Sequence, residues 1–382
     1  MNRDPALLAE CQALARAITP FRSLESLRSG REWNELGPRL SRLLGGVRHF
    51  APDSTPGASE QPDRLKAAHW NIEHGNRFPK VEAALTEHPE LRDADVAFIN
   101  EADLGMARSG NRDCLGELSR ALGRYGAWAP LFLETTSGRY DDRDLAEGSR
   151  NQEGLFGLGL LSRWPLADVR IVELPSPDVY QFDVERMFGR HVALVATVER
   201  PGAPFVAVAV HLEVHRTRAH RAAQMRVLMG ALGEDRLPTL LAGDFNSHTF
   251  NRGRPWDPFL GAAVLMFAPQ RKIELRLLFP DQGRRREPLF DELARAGFRW
   301  AQLVDRVPTL QLRFDRIDEL RAFPDFVQQG VRSALAWAER RGKLRLDWFA
   351  TRGFSGGRGY TVQGLSGHGR ASDHAPIVCE LW

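Results

Sequence analysis

The sequence predicts a mixed α and β chain with a large layered core, arranged as one domain or two. Three observations support this. The 382 residues are 43% hydrophobic, enough to bury a sizeable core. Short apolar runs that break into polar residues recur, above all Leu240-Leu-Ala-Gly-Asp-Phe-Asn246. Stretches with helical spacing separate these runs, as in Arg216 to Leu232.

Taken in order, residues 1–50 read as a helical arm. Leu7, Leu8, Cys11, Leu14 and Ile18 fall at helical spacing, and Leu36, Leu40, Leu43 and Leu44 repeat the pattern. Residues 51–63, with three prolines among small polar residues, read as a flexible linker. The main domain is placed at 64–382. It opens with a strand ending at Asn71 and Glu73, then a helix from Phe78 to His88. A second buried strand, Asp95 to Asp103, ends in acid, with Glu101 just past its apolar part, and a helix covers Arg112 to Leu122. Residues 137–153 read as a long polar loop. The glycine-spaced strand from Gly154 ends in a turn at Pro165, with Leu166–Leu174 expected as its hairpin partner. His191–Glu199 and Pro204–His215 flank the Arg200-Pro-Gly202 turn as two strands, with His211, Glu213 and His215 on one face. Residues 250–344 break the rhythm and read as a largely helical insertion, with helices at Pro288–Gly297 and Phe326–Arg341. A short strand at Arg345–Ala350, a loop holding Asp373 and His374, and a final strand close the chain.

Composition narrows the class. A net charge of +3 on 101 charged residues is not that of a strongly basic nucleic-acid binder. The charge is uneven, however. Residues 251–346 hold 19 Lys and Arg against 12 Asp and Glu, a net of +7, and the remainder sums to −4. No apolar run approaches the ~20 residues of a membrane-spanning helix. Charged residues interrupt any N-terminal signal-like stretch, so a cytoplasmic protein is expected. Cys11, Cys114 and Cys379 lack metal-ligand or disulfide spacing and read as ordinary reduced residues.

The chemistry-bearing residues sit at strand ends: Asn71, Glu101, His211, Asp244, Asn246, Asp347, Asp373 and His374. Asp244 and Asn246 alone could merely shape a turn. If neighbouring strands present the same ends, all eight converge on one cleft. That oxygen-rich set suits a hard cation such as Mg²⁺ or Mn²⁺ better than zinc. Histidines beside carboxylates suit phosphoryl chemistry.

These residues form recognisable motifs: Trp70-Asn71-Ile72, Asn100-Glu101, Gly159-Leu-Leu-Ser162-Arg163, His211-Leu212, Gly243-Asp-Phe-Asn246, Asp347 before aromatics, and Ser372-Asp-His-Ala-Pro376. In this order they resemble the endonuclease/exonuclease/phosphatase, or DNase I-like, superfamily. The resemblance covers about residues 64–250 and 345–382, and excludes the arm and the insertion. It implies an α+β fold: a four-layer α/β/β/α sandwich of two mostly antiparallel sheets with outer helices. It implies Mg²⁺ (or Mn²⁺) as cofactor, with Glu101 as principal ligand and Asn71 and Asp373 close to the ion. Asp244 looks like the residue that orients or deprotonates the attacking water. Asn246 resembles the amide that binds a phosphate oxygen. His374 resembles the histidine at the scissile phosphate, held by Asp347. His211 matches a position that is histidine in the DNase I-like and phosphatase branches. Glu73 stands where abasic-site endonucleases often have Asp.

The expected activity is metal-dependent hydrolysis of phosphate esters. The leading reading is a phosphodiesterase of nuclease type, with nucleic acid as partner. The alternative is a phosphomonoesterase or phospholipid hydrolase with an inositol-phosphate or sphingomyelin-like substrate. A non-catalytic binding module on the same fold is a third class, which the complete set of core positions disfavours.

Overall fold

The computed structural model describes residues 4–21, 23–52, 64–138, 141–176, 186–214, 216–233, 237–248, 257–312, 333 and 336–382. Most of the expected linker, and His215, lie outside the described residues.

Three helices lead the chain: α1 (Pro5–Ile18), α2 (Leu24–Ser29) and α3 (Trp33–Gly45). Asp4 caps α1, its carboxylate accepting from the Ala6 and Leu7 N–H groups. Then follow β1 (Arg48–Phe50), β2 (Leu65–Asn71), α4 (Phe78–Glu87), β3 (Val96–Leu104), α5 (Cys114–Leu122), β4 (Tyr125–Glu134), α6 (Asp141–Ala146) and β5 (Leu155–Ser162). Next come β6 (Leu166–Glu173), β7 (Met187–Gly189), β8 (Val192–Val198), β9 (Phe205–His211), α7 (Arg218–Leu232) and β10 (Thr239–Asp244). The segment 250–344 contributes α8 (Asp257–Phe267), α9 (Gln270–Leu277), α10 (Leu289–Arg295), β11 (Leu310–Gln311) and β12 (Lys343–Leu344). The chain closes with β13 (Asp347–Arg352), β14 (Gly357–Thr361) and β15 (Ile377–Leu381).

The first sheet has the order β1-β4-β5-β3-β2-β15-β14, with β7 also paired to β4, and the second β13-β10-β9-β8-β6. All pairings within them are antiparallel except β2 with β3 and β9 with β10. Alternation along each strand sets the layers. Ala67 and Phe98 of the first sheet meet Leu194, Ala209, Ala242 and Phe349 of the second in one buried cluster. Trp70, Ile99 and Trp128 point the other way, against Leu14, Leu40, Val81 and Leu118 of the helices. Val208, Val210 and Trp348 cover the far side with Met225, Leu228 and Leu293 of α7 and α10. The result is helix, sheet, sheet, helix, the expected four-layer sandwich.

Three features differ from the sequence expectation. Leu166–Leu174 is not the hairpin partner of the preceding strand, because β5 already has β3 and β4 on its two edges. The chain instead crosses at Arg163–Pro165 to the other sheet, where β6 pairs with β8 as an edge strand. The polar 137–153 stretch contains α6. Strand β9 stops at His211, so Glu213 lies beyond the strand, where it is buried. Of the two helices expected in the insertion, α10 matches 288–297, whereas 326–341 is described mainly over 336–341, which is helical.

Candidate active site

The inner-face alternation that packs the core carries on to the strand ends. Ala67 faces inward on β2, so His69 and Asn71 do too; Ala242 on β10 and Phe349 on β13 likewise place Asp244 and Asp347 on the inner face. Register aligns these ends, with Asp244 paired to both His211 and Asp347. Gly243 is required there, since a Cβ would lie 1.9 Å from the Val210 carbonyl oxygen.

Glu101 reaches the cleft by a different route. The β3–β5 register shifts between Ile99 and Ala102, and Glu101 has a φ of 58°. This bulge turns the carboxylate into the cleft. Glu73, His74 and Asn246 also hold left-handed φ values of 48°, 62° and 47°. Such backbone costs on the order of 1–3 kcal/mol per residue, so the surrounding packing must enforce it.

All nine expected site residues meet in this region. Glu73, Glu101, His211, Asp244, Asn246, Asp373 and His374 line one cavity of about 580 Å³. Asn71 Nδ2 donates to Glu101 Oε1 at 2.8 Å and Asp244 Oδ2 at 3.3 Å. Asp347 lies behind His374, its Oδ2 accepting from Nδ1 at 2.8 Å. Asn246 Nδ2 donates to the Leu212 carbonyl at 2.8 Å, and its N–H donates to Asp244 Oδ1. His211 Nε2 faces Asp244 and Glu101 at 3.7 and 3.9 Å. Glu73 is tied to Arg77 at 2.8 Å.

The electrostatics are polarised. Burial would raise Asp347, but His374 and His69 outweigh it and hold its carboxyl well below the usual range. Burial opposes the charge on His374, yet Asp347, Asp373 and Asp244 together push its pKa well up. Burial and Asp373 raise Glu101 to about 8. Burial and Asp347 raise Asp244 to about 6. Burial, with His191 and His374, lowers His211 to about 3 and keeps it neutral.

These acids fit a divalent cation. Glu101, Asp373 and Asp244 crowd together at a cost in charge that a hard cation would relieve. Asp244, Asp347 and His374 also offer ligand atoms within 4.8 Å of one another. However, His69 and His374 occupy both Asp347 oxygens, and Asp347 takes His374 Nδ1. That trio is therefore better read as a hydrogen-bonded relay, leaving the Glu101 side for the ion.

Sequence reasoning missed several neighbours. His69 Nε2 meets Asp347 Oδ1 at 2.9 Å, so one carboxylate is shared by two histidines. Its signal was present: His69 lies two residues before Asn71 on one strand face. His74 Nδ1 lies 3.4 Å from Glu101 Oε2. His191 meets the Glu213 carboxylate at 2.8 Å and the His211 carbonyl at 3.1 Å. Thr309 of the insertion accepts, through Oγ1, from the N–H groups of Leu346 and Asp347, and its carbonyl accepts from Ala375 N. This brace on the segments that carry Asp347 and His374 had no sequence signal.

The model of the Endonuclease/Exonuclease/phosphatase family matches residues 68–374. Among solved structures, an endonuclease/exonuclease/phosphatase from Beutenbergia cavernae is 18% identical, covering 83% of this chain and 71% of its own at a TM-score of 0.50. A family protein from Leptotrichia buccalis is 12% identical over 83% of this chain and 98% of its own, at 0.49. The human Nocturnin catalytic domain with bound sulfate is 14% identical over 89% and 98%, at 0.47. No curated protein matches the sequence. With the family model spanning nearly all of the sandwich and its strand-end residues, the chain belongs to the endonuclease/exonuclease/phosphatase family, whose chemistry is the hydrolysis of phosphate esters.

Proposed function

We propose that the chain is a divalent-metal-dependent phosphodiesterase. The observation that carries this reading is the Asp347–His374 pair, 2.8 Å apart, with His374 Nε2 turned to Asp244 at 3.8 Å. Glu101, with Asn71 and Asp373 beside it, would hold Mg²⁺ or Mn²⁺. Such an ion neutralises charge that builds on the phosphoryl oxygens. The chain's own groups do the rest. Asp244, raised toward neutrality, aligns the attacking water and takes its proton. His374, held cationic and oriented by Asp347, donates from Nε2 to a phosphoryl oxygen. Asn246 uses one amide hydrogen on Leu212 and has a second for another phosphate oxygen. Neutral His211 donates without adding charge. Glu73, among the residues lining the cavity, is paired with Arg77.

Two facts favour a diester over a monoester. A monoester dianion calls for more positive charge than a diester monoanion. Among the described residues lining the cleft, the one guanidinium is Arg108, already held by Asp103, Glu134 and Asp142 at 2.8, 3.0 and 3.6 Å.

The nuclease reading rests on the basic excess of residues 251–346. Several of those arginines are committed internally: Arg306 pairs with Asp281, Arg345 with Asp305, and Arg341 donates to the Leu265 and Met266 carbonyls. Cleavage of DNA or RNA that falls steeply with salt would support a nucleic-acid substrate.

The direct test compares the native protein and His374→Ala on bis-p-nitrophenyl phosphate and p-nitrophenyl phosphate with Mg²⁺. Diester cleavage that drops about 10²–10³-fold in the variant is expected. Monoester cleavage alone would replace this reading with a phosphatase.

A further inference from the structure

The Asp347–His374 pair spans the two sheets. Asp347 opens β13 in the second sheet, and His374 lies just before β15 in the first. Their 2.8 Å hydrogen bond therefore depends on how the site ends of the sheets are held against each other. Strand β13 is also an edge strand, so one of its sides has no strand neighbour in the sheet to accept its N–H groups.

The insertion covers that edge at both ends. At the far end, Arg299 and Thr351 exchange backbone hydrogen bonds of 2.8 Å. At the site end, Thr309 Oγ1 accepts from the Leu346 N–H at 3.1 Å and the Asp347 N–H at 3.3 Å. The same residue reaches the other sheet. Its carbonyl accepts from the N–H of Ala375, next to His374, at 2.7 Å, and Leu310 forms a bridge with His374. Thr309 is buried, so bulk water does not stand in for its hydroxyl.

The segment that carries Thr309 is anchored in turn. Asp305 Oδ1 accepts from Arg345 Nη1 at 3.0 Å, just before β13, and Asp305 Oδ2 from the Thr361 N–H at 2.6 Å, at the end of β14. Buried Arg345 also donates to the Val307 carbonyl at 3.0 Å, and the Thr309 N–H donates to the Leu344 carbonyl at 2.8 Å. Other contacts hold His374 from its own side: Trp70 Nε1 donates to its carbonyl, and Ser372 Oγ accepts from its N–H. His69 of β2 crosses between the sheets, but to the Asp347 side chain, the group that has to be placed. Thr309 acts on the backbone beneath that side chain and on the backbone beside His374.

We propose that Thr309 is a positioning residue, a clamp from the insertion that sets the separation of Asp347 and His374 across the two sheets. Its effect on turnover rests on the phosphodiesterase reading; its effect on the Asp347–His374 hydrogen bond does not. The insertion is then part of the framework of the site.

Thr309→Val keeps the shape of the side chain and removes the hydroxyl. Two measurements on the full-length protein read the result. The first is the low-field proton resonance of the His374 Nδ1–H, assigned by its loss in His374→Ala. It should shift or broaden in Thr309→Val and return in Thr309→Ser, which restores the hydroxyl. The second is cleavage of bis-p-nitrophenyl phosphate with Mg²⁺. There kcat should fall about tenfold or more with KM within about twofold, and recover in Thr309→Ser. Thr239, also buried but at the far end of β10, supplies the control: Thr239→Val should lower the melting temperature and move neither readout. Should Thr309→Val not fold, Thr309→Ala reads the same loss without a methyl group against the two N–H donors. An unchanged resonance in folded Thr309→Val, or a Thr309→Ser as impaired as Thr309→Val, would overturn the proposal. If the native protein cleaves no diester, the phosphodiesterase reading falls, and the resonance alone still decides for or against the clamp.

Discussion

Asp347 serves two histidines, His69 through Oδ1 and His374 through Oδ2. Replacing His69 with Phe leaves one buried Asp347 oxygen without its partner. The expected cost is about 1–3 kcal/mol of stability and a fall in kcat, read by melting and steady-state assays. Wild-type kcat in a folded His69→Phe would show that His69 is dispensable. Glu101 makes a different prediction. Burial and Asp373 raise its pKa to about 8, so below that pH a proton competes with the cation. Cation affinity should therefore rise as pH climbs from about 6 to 8. Glu101→Gln should weaken binding and flatten that dependence, as calorimetry can measure. Most of these residues were legible because each ends a strand or directly precedes one. His69 was not, because it sits inside a run that reads as core. Its facing becomes visible only by stepping back two residues from Asn71.

At the scale of elements, the β9–β10 pair sets the spacing of the site. Gly243→Ala would place a methyl group 1.9 Å from the Val210 carbonyl oxygen and force the strands apart. A loss of about 2 kcal/mol or more is expected in denaturant unfolding, with reduced activity through displacement of Asp244. Local pattern showed that these strands exist, but not which sheet takes each one. The Gly154–Ser162 strand and Leu166–Leu174 look like a hairpin because only three residues separate them. Their separation into two sheets follows from β3 and β4 occupying both edges of β5, a long-range fact absent from the local pattern. The bulge at Glu101 is similarly hidden: plain alternation would turn that carboxylate away from the cleft.

For the whole molecule, the leading helices are part of the first sheet's outer layer. Cys11, Leu14, Leu36 and Leu40 share a cluster with Trp70, Ile99 and Trp128, and β1 pairs with β4. Removing residues 1–50 should expose that face, lower the melting temperature and promote aggregation. An unchanged melting curve would contradict this. The four-layer order followed from motif resemblance more than from periodicity, since apolar strands alone leave the number of layers open. The insertion was legible as a break in rhythm and as an excess of charge. Its brace through Thr309 onto Asp347 and Ala375 depends on tertiary hydrogen bonds with no local pattern.

The central claim is that water, aligned by Asp244 and assisted by His374, attacks the phosphorus of a diester at a cation-loaded site. Hydrolysis of bis-p-nitrophenyl phosphate in ¹⁸O-water, with and without Mg²⁺, tests it most directly. The account predicts that cleavage requires the cation, that the label appears in the phosphate product, and that His374→Ala loses about 10²–10³ in rate. Label in the released nitrophenol, or a rate indifferent to both cation and His374, would contradict it.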